Sequence, residues 1–378
     1  MRRLLLLVGG IVFVDTMFFA ALTPLLPEYA NEFNLSKAGA GVLSAAYPIG
    51  ALVGGIPGGI SSARIGARPT AIVGLIVIAV STFVFATGDS IVVLDASRFA
   101  QGFGSAFAWT AGLTWLVSET PSEKRGQTIG SAMAAAIVGA LFGPVLGGVA
   151  SVVGQAVAFG AAGLAALGLA VWAAATHAPR ATERQPLSLL FAAMRTRRVA
   201  LGIWFVVLPG IFFGTLSVLA PLRLEELGFS ALAIGALWLI TAGLEAVVNP
   251  WVGRVSDRIG RFQPMRLSVL AGGIVTAFLP WPGEALLLAA LVMAGGIAFG
   301  SFWTPAMALL SDEAERRGLE YAYIFALINI AWAPGQALGS AGSGALAYVT
   351  SDAVPYLLLA SACLLTFGFL WRVRGAPK

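Results

Sequence analysis

The stretch GISSARIGAR (59–68) returns 194 residues later as GRVSDRIGRF (253–262). A second basic loop behaves the same way, SEKRG (122–126) being echoed after 192 residues by AERRG (314–318). GALFGPVLGG (139–148) has a counterpart in PGQALGSAGSG (334–344) at a similar offset. Three signatures in the same order and at nearly the same spacing read as two parallel copies of one unit, each about half the chain.

What lies between these loops fixes the nature of the unit. Of 378 residues, 58% are hydrophobic and 11% charged, with a mean hydropathy of +0.88, too apolar and too charge-poor for a water-soluble domain of this size. Apolar runs such as 71–86 with its flanks and 354–371 have the length, about 20 residues, that a helix needs to cross a hydrocarbon core of roughly 30 Å. The two-residue alternation of a membrane barrel is absent. Twelve spans are predicted, centred on Val14, Gly50, Ile78, Ala106, Leu141, Leu164, Val207, Leu239, Gly273, Ala294, Ile330 and Cys363. The expected fold is therefore all-α and membrane-integral, with twelve transmembrane helices in two six-helix pseudo-symmetric halves around a central cavity. The halves are 1–176 and 199–378, joined by a cytoplasmic linker at 177–198 within the basic segment THAPRATERQPLSLLFAAMRTRRVA (176–200).

The charges mark topology. If both termini share one side, all 23 Lys and Arg except Lys37, Arg98 and Arg223 fall on that side, which the positive-inside rule makes cytoplasmic. The chain is thus expected in the cell (inner, cytoplasmic) membrane, crossing many times, with both termini cytoplasmic. The net charge of +5 needs no nucleic-acid partner. Arg2 and Arg3 before LLLLVGGIVFV (4–14) imitate a signal peptide. Asp15 would interrupt its apolar region, however, and equally apolar segments follow, so the stretch reads as the first span. The lone Cys363 allows no intrachain disulfide, and the single His177 has no Cys or acidic cluster to make a metal site. No G-x-x-x-x-G-K-[ST] loop is present, so neither an enzyme nor an ATP-driven pump is expected. No cofactor is called for, energy coming from a gradient such as that of protons. The expected partners are a small-molecule substrate, protons and the lipid bilayer, with a monomer as the working unit.

Two acids stand inside predicted spans. Asp15 lies about 11 residues, roughly 16 Å, beyond Leu4 and so near the midplane. Glu245, in LITAGLEAVVNP (239–250), is nearer the cytoplasmic end of its span. A charge at the bilayer centre costs roughly 2.5 to 3.5 kcal/mol on insertion scales, so such residues are functional or paired. Both are proton-coupling candidates, with a static salt bridge as the competing reading for Asp15 and a gate pair with a loop arginine for Glu245. Arg98, also within a span, wants an anion or water. It is either neutralised by Asp95 three residues before it on the same helix or faces the cavity and tunes an acid on another helix.

Four stretches carry a family resemblance that runs essentially end to end. The loop G-x-x-x-D-R-x-G-R is matched by Gly253, Asp257, Arg258, Gly260 and Arg261, and in the first half by Gly59, Arg64, Gly66 and Arg68, with Ala63 in place of the acid. RFAQGFGSA (98–106) fits R-x-x-Q-G-x-G-x-A through Arg98, Gln101, Gly102, Gly104 and Ala106. GALFGPVLGG fits g-x-x-x-G-P-x-x-G-G through Gly139, Gly143, Pro144, Gly147 and Gly148. VDTMFFAALTPLLP (14–27) resembles the first helix of vesicular monoamine transporters and their bacterial multidrug-exporting relatives. The chain thus resembles the major facilitator superfamily, and within it the twelve-span drug:proton antiporters. The resemblance implies alternating access. It also implies a cytoplasmic gate at Arg64, Arg68, Asp257, Arg258 and Arg261, and a helix-5 motif that accompanies export. The acids that the monoamine branch carries on helices 10 and 11 are replaced here by Gly300 and Asn329.

The remaining cavity candidates are Tyr47, Gln101, Trp109, Trp204, Phe212, Phe302, Trp303, Asn329 and Trp332. Singly, such aromatics are packing. Together beside a carboxylate they suit an amphipathic cation through apolar contact and cation–π attraction. The leading expectation is proton-coupled export of small amphipathic compounds, cationic or neutral. Two alternatives stay open: a transporter of a sugar, metabolite or anion that uses Arg98, and a non-transporting sensor or assembly protein with the same fold.

Overall fold

The computed structural model describes residues 2–121, 124–177, 186–319 and 321–372, nearly all of them helical. The first half comprises α1 (Arg2–Glu32), α2 (Lys37–Ile65), α3 (Ala67–Thr87), α4 (Ile91–Ser118), α5 (Arg125–Val153) and α6 (Gln155–Ala174). A short helix, α7 (Leu187–Met194), occupies part of the linker. The second half comprises α8 (Arg197–Glu226), α9 (Ala231–Ile259), α10 (Phe262–Phe278), α11 (Ala285–Arg316), α12 (Tyr321–Ala337) and α14 (Ala353–Arg372). A π turn (Leu338–Gly342) carries α12 into α13 (Ser343–Val349), and the three together make one span. Each of the twelve predicted centres falls in a different span.

Among the described residues, nine helices are long and apolar enough to cross a membrane on their own composition. The other three spans have local reasons for falling short. α4 carries Asp95 and Arg98, and α10 and α12 are 17 residues each, α12 being prolonged by the π turn.

The repeated loops explain themselves in the backbone. Gly66 and Gly260, equivalent positions of GISSARIGAR and GRVSDRIGRF, have φ of 102° and 91° and turn the chain between α2 and α3 and between α9 and α10. Side-chain-bearing residues pay heavily for that geometry, so both copies keep glycine. At the opposite ends, Ser36, Ser90 and Ser230 cap α2, α4 and α9 by accepting from the backbone N–H groups of Gly39, Val93 and Ala233.

The two halves repeat one packing scheme. α1 lies against α5 as α8 lies against α12, α2 against α4 as α9 against α11, and α3 against α4 and α6 as α10 against α11 and α14. The halves meet along α2 with α12 and α13 and along α5 with α9, a pseudo-twofold arrangement.

This interface is closed on the side away from the termini. There Lys37 Nζ lies 2.7 and 2.8 Å from the two carboxylate oxygens of Asp352, and Asn31 Nδ2 donates to Glu225 at 3.2 Å. Gly41 and Gly344 allow α2 and α13 to touch backbone to backbone. Contact continues inward through Gly235 against the Pro144 carbonyl to Gly243, which meets Leu141.

Lys37→Gln is expected to loosen the closed end. An ion pair this exposed contributes no more than about 1 kcal/mol, enough for a several-fold shift between two balanced states. Spin-label distances between the α1–α2 and α13–α14 turns would show a longer population in the variant.

Candidate functional site

The first-half site is built where α1, α2 and α4 cross. Gly102 of α4 sits so close to the Tyr47 carbonyl of α2 that a Cβ has no room, and Gly50 of α2 is pressed in the same way onto the Phe99 carbonyl. This close crossing places Tyr47 and Arg98 together beside α1.

Asp15 is 5% exposed and accepts a 2.7 Å hydrogen bond from the Tyr47 hydroxyl, with Ser105 beside the pair. Arg98 is 2% exposed. Its Nη1 donates to the Phe18 carbonyl (3.0 Å) and to Gln101 Oε1 (2.9 Å), and its Nη2 to the Phe19 carbonyl (3.3 Å). The guanidinium lies over the Tyr47 ring at 4.9 Å and near that of Phe85 at 6.0 Å, while Nε has no partner. Pro24 cannot donate to the Ala20 carbonyl, one residue beyond the two carbonyls that meet the arginine.

Among the described residues, no carboxylate lies within ion-pairing distance of Arg98. Asp95 does not neutralise it: Arg98 turns toward α1, and Asp95 turns to the outer wall between α2 and α4. Nor does Asp15 form a direct ion pair with it. Tyr47 stands between the two, bonded to one and stacked on the other, a linking role that its aromatic character alone does not suggest. Gln101 is consumed in the same network, 1% exposed and donating to Thr82 Oγ1 at 3.1 Å, so it is not a free cavity group.

Phe19 carries this cluster to the other half. Its ring centroid is 5.2 Å from that of Tyr47 and 5.2 Å from that of Trp332 on α12. Asn329 lies one turn from Trp332, also half-buried. Trp332 thereby sits at the inter-half seam, against α1. Trp109 and Trp303 are half-buried against the apolar core.

Three expected cavity aromatics lie elsewhere. Phe212 is fully buried, stacked on Phe299 at 3.9 Å, and Phe302 is fully buried edge-on to Phe205. Both are second-half core, the Phe212 ring being admitted by Gly295 of α11. Trp204 is 38% exposed and donates from its indole nitrogen to Thr366 of α14 at 3.1 Å, on the outer side of the half.

The second-half acid is held differently. Glu245 of α9 rests in a trough on α11 made by Gly296 and Gly300, whose missing Cβ atoms would come within 2.9 and 2.7 Å of its two carboxylate oxygens. It is half-buried, one turn from Thr241 and one turn from Asn249, whose Oδ1 is enclosed without a partner. Among the described residues Glu245 has neither hydrogen-bond nor ion-pair partner. It lies two residues beyond Gly243, which meets Leu141 of the first half. The trough is invisible to local sequence reading, because glycines on one helix receive the side chain of another.

The helix-5 motif is a packing device. Gly139, Gly143 and Gly147 face α1, against Phe13 and Thr16, then Met17 and Ala20, then Ala21 and Pro24. Gly148 meets Leu232 of α9, and the Pro144 carbonyl meets Gly235. The motif thus binds α5 to the helix bearing Asp15 and to the other half at once.

At the terminus side, Arg64 and Arg258 are exposed. Arg68 reaches the Thr176 carbonyl of its own half at 3.5 Å, and Arg261 pairs with Asp312 of its own half at 3.0 Å. The Asp257 side chain lies outside the described residues. Glu313 gathers Arg317 at 3.0 Å, Arg316 at 3.7 Å and Arg198 at 3.9 Å.

The Major Facilitator Superfamily model matches residues 8–336. An uncharacterized transporter of that type, YcaD, from Shigella flexneri serotype 5b (strain 8401) is 26% identical over 386 residues, covering 100% of this chain and 97% of the relative. Its counterpart from Escherichia coli O6:K15:H31 (strain 536 / UPEC) is likewise 26% identical over the same shares. Among solved structures, a D-xylose-proton symporter superposes with a TM-score of 0.78 at 17% identity, covering 98% of this chain and 97% of that one. The nucleoside transporter NupG superposes at 0.75 with 14% identity, covering 98% of this chain and 100% of that one. At these identities the structures speak for the fold alone.

Proposed function

The chain belongs to the Major Facilitator Superfamily, and from that premise we propose that it is a proton-coupled exporter of small amphipathic compounds, cationic or neutral, working by alternating access. One observation carries the reading: Asp15 and Glu245 both lie in membrane-spanning helices, and among the described residues neither has a Lys or Arg within ion-pairing distance. An acid so placed must hold a proton or meet a cationic ligand. Two such acids, one in each half, suit exchange of protons for substrate.

The positive-inside rule makes the terminus side cytoplasmic, so the end joined by Lys37 and Asp352 faces outward and the opposite end faces the cell interior. Substrate enters from that side and meets Glu245 in its glycine trough. Asp15 acts at the joint: its charge holds the Tyr47 hydroxyl, and Tyr47 bears on Phe19, which touches Trp332 across the seam. Protonation weakens that hold and biases the equilibrium between the two openings, while substrate biases it the other way. The arginines of the repeated loops would latch the cytoplasmic end when it closes.

A second reading, transport of an anionic metabolite, is favoured by the unpartnered Nε of Arg98. One screen separates the two. Purified protein is heated with cationic, neutral and anionic compounds at pH 6 and pH 8. Export of cations predicts stabilisation by cationic amphiphiles, stronger at pH 8 and lost in Glu245→Gln. Hits confined to anions and lost in Arg98→Gln would replace the reading with the second.

A further inference from the structure

Asp95 is the one acid of α4, and the structure leaves it without a use. It makes no hydrogen bond or ion pair among the described residues, and its Oδ1 is enclosed and unpartnered. Arg98, three residues away, directs both of its terminal nitrogens to α1 and Gln101. Asp95 opens instead into a shallow groove of about 400 Å³ between α2 and α4, floored by Val42, Ala46 and Ile49 on one side and Val92, Ala96 and Phe99 on the other.

This groove lies on the outer wall of the bundle, where Val92 is 72% and Val42 49% exposed. In a membrane such a surface is covered by lipid. The depths agree with a lipid lying along it. Asp95 is four residues into α4, about 6 Å below the helix start, at headgroup level. Phe99 lies about 12 Å below the start of α4 and Ile49 about 18 Å below that of α2, within the acyl region. A carboxylate at the polar end of an apolar trough complements a headgroup that is cationic and can donate hydrogen bonds.

We infer that the α2–α4 groove binds an aminophospholipid of the phosphatidylethanolamine class, with the Asp95 carboxylate accepting hydrogen bonds from the lipid ammonium and the apolar floor receiving one acyl chain. Phosphatidylcholine, whose methylated nitrogen donates no hydrogen bond, fits the acid less well. Phosphatidylglycerol, which is anionic, is repelled.

The test is native mass spectrometry of the full chain released from micelles containing equal phosphatidylethanolamine, phosphatidylcholine and phosphatidylglycerol. The wild type is expected to retain phosphatidylethanolamine over phosphatidylcholine by about fivefold, the scale of a partly exposed charge pair. Asp95→Asn should remove the preference, and Asp95→Lys should transfer it to phosphatidylglycerol. Thermal midpoints in lipid-free detergent report whether each variant is folded, and the charge-reversed variant provides a gain that misfolding cannot mimic. Retention of the phosphatidylethanolamine preference in Asp95→Asn overturns the inference. So does displacement of that lipid from the wild type by tetraphenylphosphonium whose own binding requires Asp95, since the groove would then be a station for hydrophobic cations.

Discussion

Asp15→Asn is expected to leave the protein folded and to cut ΔpH-driven ethidium export from proteoliposomes to the passive leak of protein-free vesicles. Asparagine keeps the shape of the side chain, and its Oδ1 still accepts from Tyr47, so the crossing of α1, α2 and α4 should survive with little change in thermal midpoint. What disappears is the group that gains and loses a proton beside the inter-half seam. The competing view of Asp15 as a static counter-charge to Arg98 predicts the reverse pattern. The variant would then be distinctly less stable, since a buried guanidinium loses compensation, yet it would transport at the wild-type rate per folded molecule. The absence of a direct Asp15–Arg98 ion pair, with main-chain carbonyls of α1 taking the guanidinium, is why the first outcome is expected.

Gly102→Ala should have the largest effect on folding. A methyl group there falls on the Tyr47 carbonyl, and the neighbouring Ala51 backbone nitrogen is 3.0 Å away. Backbone cannot rotate aside as a flexible side chain can, so α2 and α4 must separate along their length. The cost is expected at about 3 kcal/mol, the upper end for overpacking, enough to abolish the monodisperse peak in size-exclusion chromatography. Gly55, whose added Cβ meets nothing within 4 Å, provides the control: Gly55→Ala should elute as wild type. A monodisperse Gly102→Ala of wild-type thermal stability would mean that the crossing is looser than described.

Much of the architecture was legible because it rests on local signals. The repeated basic loops mark equivalent turns, and glycine recurs in them where φ is positive. Hydropathy finds the spans, and even the three weak ones are weak for readable reasons, such as Arg98 within α4. The stripe Gly139, Gly143, Gly147 was readable as a packing face, although its partner, α1, was not. The site was less legible because it depends on helix rotation and on neighbours distant in sequence. Asp95 and Arg98 share the spacing of an ion pair, but Arg98 finds carbonyl oxygens on α1, and carbonyls leave no mark in a sequence. Phe212 and Trp204 are eight residues apart on α8 as a shared face requires, yet one ends in the core and the other against α14. Glu245 was visible as an acid in an apolar span, while its trough requires Gly296 and Gly300 to come from another helix. Tyr47 looked like one aromatic among many until its hydroxyl was found on Asp15 and its ring beneath Arg98.

The central claim is that substrate movement and proton movement are coupled through Asp15 and Glu245, and proton flux measured during transport tests it most directly. Proteoliposomes carrying pyranine inside, given an ethidium gradient and no initial pH gradient, are expected to develop a pH change of the sign produced by protons moving against ethidium. Asp15→Asn and Glu245→Gln should each abolish that change. Ethidium uptake by the wild-type protein with no accompanying proton movement would contradict the account.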